Sequence, residues 1–199
     1  MLTARIIGIA VACAVVPTLG AQPARPPRWT SHAVIPVWLD SRTAPPGAAA
    51  LVDRALAAWT RAADGRVVLQ KAATADAALV RVRFAPAEGI YGETAPHVDR
   101  TTGAIVSAEI VIAGVVVGDA EQKRVAIYLT ALHELGHALG LRHTDAFDDI
   151  MYSFRRPDDG ERYFGAFQKR LQSIDEVGTE RASGLSPADL AALRALYDR

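Results

Sequence analysis

Cysteine is almost missing from this chain. Among 199 residues there is one, Cys13, which excludes a disulfide framework and any zinc cluster built on thiolates. Net charge is missing too. The 22 basic and 22 acidic side chains cancel, whereas a nucleic-acid or polyanion binder carries a clear basic excess. No repeat with a period of about 20–50 residues is found, which disfavours a solenoid or propeller. Half of the residues are apolar, enough for one hydrophobic core, and the length fits one domain. Chemistry must therefore be sought in histidines and carboxylates.

The first 21 residues read as a secretory signal peptide. Arg5 gives the positive start, residues 6–16 are apolar, and Pro17, Gly20 and Ala21 offer a cleavage site near Ala21. That apolar run is shorter than the roughly 20 residues of a membrane-spanning helix. Residues 22–30 are expected to be a short leader rich in proline (Pro23, Pro26, Pro27) with nothing to pack. The protein is therefore expected to be secreted or periplasmic. A lipid anchor at Cys13 is the alternative, and the one route to a membrane. No nucleic-acid partner is expected, and oligomeric state is left open.

The remaining residues, 31–199, read as one α+β domain. Residues 32–39 form a first strand, with Pro36 suggesting a sheet edge. A helix over 48–63 places Leu51, Val52, Ala55, Leu56 and Trp59 on one face. Strands follow at 67–70, 78–84 and 105–112, with a polar loop predicted over 85–102. A helix covers 121–139. Ser186 as N-cap and Pro187 in the first turn open a final helix to Tyr197.

The chemistry lies in His133-Glu134-Leu-Gly-His137-Ala-Leu-Gly140-Leu-Arg-His143. Residues four apart share a helix face, so His133 and His137 present two imidazoles to one point. Gly140 can end the helix in a left-handed conformation and turn the chain, returning His143 as a third ligand. Three neutral imidazoles leave a zinc ion one open position, the arrangement of a catalytic site. Zinc lowers the pKa of bound water towards about 7, and Glu134 can then act as general base and later return the proton to a departing amine.

These residues resemble the HExxHxxGxxH signature of the metzincins, and most closely that of the matrixins, the catalytic domains similar to matrix metalloproteinases. Asp149-Ile150-Met151-Tyr152 resembles the Met-turn, Thr144 follows the third histidine, and Ala75-Asp76-Ala77 precedes a strand as in the family. Leu185-Ser186-Pro187-Ala188-Asp189-Leu190 with Leu196-Tyr197 resembles the family's final helix. The resemblance covers residues 31–197. It implies a twisted, mixed five-stranded sheet with an active-site helix, a Met-turn with Met151 under the metal, and a C-terminal helix. The implied activity is that of a zinc endopeptidase with Zn2+ on His133, His137 and His143 and Glu134 as base. Its substrate would be an extended peptide or protein, added as a strand beside residues 105–112 as the antiparallel edge.

Leu129, Thr130 and Phe154 fall where the family lines its specificity pocket, although Ser153-Phe154-Arg155 stands where matrixins often have Pro-x-Tyr. Only His97 and Asp99 stand in the loop that holds a structural zinc in vertebrate-type members, so one catalytic zinc is expected. Calcium at acidic loop positions stays an unassigned option. A cysteine switch has no cysteine to use after signal removal. Ala188 replaces the aspartate that greets a new N-terminus in related enzymes, and Asp189 is expected to brace the Met-turn; activity is therefore expected directly after signal removal. The segment 154–184 is longer than the family's usual link. A turn at Asp158-Asp159-Gly160, then Phe164, Phe167, Leu171 and Ile174 at helical spacing, predicts an amphipathic helix over 162–176, as plain core cover or as a lid beside the cleft. The alternatives to a peptidase are a binding protein that keeps the frame without turnover, or a zinc amidase acting on a non-protein substrate.

Overall fold

The computed structural model describes residues 26–86, 91–156 and 158–198. The signal-peptide reading, with Cys13 and the cleavage site, lies outside them. Alternation builds the sheet. In β3 (Val80–Ala85), Val80, Val82 and Phe84 are buried while Arg81 and Arg83 face solvent. In β1 (Ala33–Leu39), Ile35 and Val37 are buried and Val34 is exposed. With β2 (Val67–Lys71), β4 (Gly92–Val98) and β5 (Ile105–Ala113), they form a five-stranded sheet in the order β2-β1-β3-β5-β4. The β1–β2, β1–β3 and β3–β5 pairs are parallel, and β4–β5 is antiparallel. This is the mixed α+β sheet that the resemblance implies.

The buried face carries the helices. In α1 (Ala48–Ala63) the expected stripe from Leu51 to Trp59 is buried, and the Trp59 indole donates to Leu132 O at 2.7 Å, tying α1 to α2 (Ala120–Ala138). Asp119 and Gln122 close a capping box at the start of α2. Ser186 and Asp189 do the same for the final helix, Pro187–Tyr197. Among the described residues no helix is long and apolar enough to cross a membrane.

Five expectations need correction. Pro36 does not mark an edge, because β1 lies between β2 and β3. Its carbonyl accepts from Leu79 N, so its missing N–H faces the start of β3, ahead of the first paired residues, Val37 and Val80. The predicted loop at 85–102 contains β4, and β4 rather than residues 105–112 is the antiparallel edge. Its sequence, Gly-Glu-Thr-Ala-Pro-His-Val, has no apolar alternation because an edge strand with an exposed face needs none. The helix after the Met-turn, α3 (Asp159–Gln168), begins three residues early and stops short; Leu171 falls outside it and Ile174 opens a separate 3-10 turn. Asp159 and Gly160 are thus its first turn and not a preceding loop. The leader is also not free of packing at its end. Trp29 is buried and donates to Ala138 O at 2.8 Å, and Arg28 O accepts from Ile105 N. The final helix is α4 (Pro187–Tyr197).

Candidate metal centre

The last turns of α2 carry His133 and His137 on one face. Helical carbonyls at its end are taken up by Trp29 at Ala138 O and by the Tyr197 hydroxyl at Leu139 O, 2.8 Å. Gly140 then adopts φ 99° and the chain turns back. A Cβ at that position would sit against Pro27 O, so only glycine fits the turn. The turn brings His143 Nε2 to 3.2 Å from His133 Nε2 and 3.0 Å from His137 Nε2.

The triad fits zinc. Ligands at about 2.0–2.1 Å in a tetrahedron lie about 3.4 Å apart, close to these separations. The tautomers also suit. His133 Nδ1 donates to Ile150 O at 2.6 Å and His137 Nδ1 donates to Leu141 O at 2.9 Å. A carbonyl can only accept, so both Nδ1 atoms carry the proton and both Nε2 lone pairs point to the shared centre. Burial pushes His133 down to about 4 and also lowers His137, which favours the neutral form of these two ligands. Among the described residues this is the one group of three or more side chains placed to hold a metal.

The Met-turn lies against the helix. Tyr152 N donates to Asp149 O, and Thr144 N donates to Met151 O at 2.8 Å, joining the turn to the segment just after His143. Met151 is buried, and a Cβ at Gly136 would lie 2.5 Å from its sulfur, so the glycine between the two helical histidines lets Met151 approach. From α4, the Asp189 carboxylate accepts from Ile150 N at 2.9 Å and Ser186 Oγ donates to Asp149 Oδ1 at 2.8 Å. Asp189 thus braces the Met-turn as expected. Tyr163 of α3 adds a third hold, its hydroxyl donating to Asp149 O at 2.9 Å.

Glu134 is buried on the side of α2 that meets β4. Burial pushes its carboxyl up to about 7, against the opposing effect of a Thr94 hydroxyl donating to Oε2 at 2.6 Å. Thr94 and its neighbour Gly92 were hidden from sequence reasoning inside the predicted loop. No local pattern marks them, since their role depends on which helix the strand crosses.

The expected pocket residues face different neighbours. Leu129 is fully buried towards Gly184, Thr130 is buried towards Gly92, and Phe154 is partly exposed in an aromatic cluster with Tyr91, Tyr152, Tyr163 and Phe164. Asp159, first read as part of a turn, is buried. It accepts from Arg155 N at 2.8 Å, Arg156 N at 3.0 Å and the Tyr152 hydroxyl at 3.2 Å, which holds the segment bearing Phe154.

A mixed sheet over a helix with three convergent imidazoles and a turn buttressed beneath it defines the class of zinc-dependent peptidases. The family model for matrixins matches residues 40–177, and the chain belongs to that family of zinc metalloendopeptidases. The match ends before α4, the helix that braces the Met-turn. No curated protein matches the chain.

Proposed function

We propose that the chain is a secreted or periplasmic zinc endopeptidase that uses Glu134 as general base on an extended peptide laid along β4. One observation carries this reading. The buried carboxylate next to the first histidine in α2 also touches the outermost strand, through Thr94 at 2.6 Å. A peptide adding to the outer edge of β4 would therefore run past both the base and the triad. His133, His137 and His143 would hold the zinc ion, which would supply Lewis-acid chemistry towards a carbonyl and a water. Glu134 accepts a proton from the attacking water at a carboxylate oxygen and gives it to the departing amine nitrogen. Its raised proton affinity suits both transfers. Export rests on the signal-like residues 1–21.

The test uses purified zinc-loaded protein and a peptide library. Glu134→Ala is expected to retain one equivalent of zinc and lose about 10²- to 10⁴-fold in activity, the scale of a general base. The pair His137→Ala and His143→Ala is expected to lose the metal. Near-wild-type cleavage by Glu134→Ala, or zinc retained by the double variant, would overturn the mechanism. Cleavage of small amides but no peptide would favour the amidase alternative.

A further inference from the structure

We propose that Thr94 is a positioning residue for Glu134, its hydroxyl and the bare Cα of Gly92 together holding the carboxylate in one orientation from the edge strand. The inference rests on the reading of Glu134 as general base. Residues 92 and 94 alternate with Glu93 along β4, so both point towards α2. Two observations show that this contact is built around the carboxylate. Thr94 Oγ1 lies 2.6 Å from Glu134 Oε2 and 3.0 Å from Glu134 O, and among the described residues it is the one donor to that side chain. A Cβ at residue 92 would lie 2.8 Å from Glu134 Cγ, from Oε1 and from Thr130 Cγ2. Any residue but glycine there would push on the carboxylate from one side while Thr94 holds it from the other.

The consequence is a division of the two oxygens. Oε2 is engaged by Thr94, and Oε1 lies against the space that Gly92 leaves. The main-chain carbonyl of Glu134 offers the hydroxyl a second acceptor, which keeps Thr94 seated on α2 even when the side chain turns. A base that must take a proton and deliver it to a second atom works only within a narrow range of positions, and a misplacement near 1 Å costs on the order of a hundredfold. The strand that would align the peptide thus also aligns the base. Burial of the carboxylate makes the donor matter more, because a buried acceptor that loses its partner loses its orientation and its compensation together.

Thr94→Val keeps the shape and removes the donor. With zinc bound, kcat is expected to fall about ten- to a hundredfold with KM within about twofold, and Thr94→Ser is expected to restore most of it. Gly92→Ala is expected to lower kcat without removing any hydrogen bond. A second readout needs no activity. In urea unfolding of the metal-free protein, Thr94→Val is expected to lower the midpoint more when Glu134 is present than in Glu134→Ala, where the main-chain carbonyl of residue 134 is the acceptor left. Thr94→Val as active as the wild type, no recovery in Thr94→Ser, or additive midpoint shifts would each overturn the proposal. A zinc-loaded wild type that cuts no peptide would instead overturn the peptidase reading itself, with the unfolding cycle still reporting the Thr94–Glu134 pairing.

Discussion

Two segments grip α2 from opposite needs: the Met-turn on the metal side and β4 on the side of Glu134. The Met-turn is buried and held from several directions, by Asp189 and Ser186 of α4, Tyr163 of α3 and the strand-like bridge between Thr144 and Tyr152. β4 is mostly exposed and is paired on one side, to β5. The difference suits what the proposed function asks of each. Imidazole ligands need fixed tautomers and directions, which Ile150 O supplies to His133 through a turn pinned by these hydrogen bonds. On the proposed function a peptide adds to β4, and such a strand must keep its outer backbone groups free. Between the two stands α3. Its consecutive residues Tyr163 and Phe164 touch both, Tyr163 at the Met-turn and Phe164 edge-on to Tyr91 just before β4, centroids 4.8 Å apart.

Either grip can be loosened by a single substitution. Asp189→Ala should have the largest effect, because it leaves the buried Ile150 N–H and the half-buried Ser186 N–H without an acceptor. A loss of about 2–4 kcal/mol is expected, with weaker zinc retention, measured by denaturant unfolding and metal analysis. If zinc affinity stays at the wild-type level, the Met-turn does not orient His133. Phe164→Ala should cost less, about 1–2 kcal/mol, since this ring is only partly buried and what it loses is mainly edge-to-face packing. Its signature should be a changed cleavage profile with zinc binding intact. A profile identical to the wild type would leave α3 as plain core cover and remove the lid reading.

The smallest effect concerns pH in the metal-free protein. His133 and His137 are lowered by burial from their usual 6.5, so between about 4.5 and 6.5 the unfolded chain binds protons that the folded chain refuses. Stability therefore rises with pH at these groups. Glu134, raised by burial from 4.5 to about 7, acts in the opposite sense: the folded chain keeps a proton that the unfolded chain has lost, and stability falls as pH rises. Glu134→Gln removes that opposition. The metal-free variant should gain stability more steeply between about pH 4.5 and 6.5 than the wild type. Equal slopes would show that the carboxylate is not held in a desolvated site.

The parts whose physics is local are legible along the chain. Helical spacing placed His133, Glu134 and His137. Gly140 marked the turn that returns His143, Ser186 and Pro187 marked the start of α4, and the apolar stripe from Leu51 to Trp59 marked α1. Each of these signals sits within a few residues of its effect, where propensity and capping decide. The remaining features depend on partners far along the chain. β4 carries Gly and Pro and no apolar alternation, and is a strand because β5 offers it a ladder. Pro36 is tolerated inside the sheet because its missing N–H meets the start of β3. Trp29 and Tyr197 cap α2 from opposite ends of the domain, and Thr94 meets Glu134 across 40 residues. A hydrogen bond between distant residues leaves no period in the sequence. It exists only once burial has removed the water that would otherwise satisfy both groups.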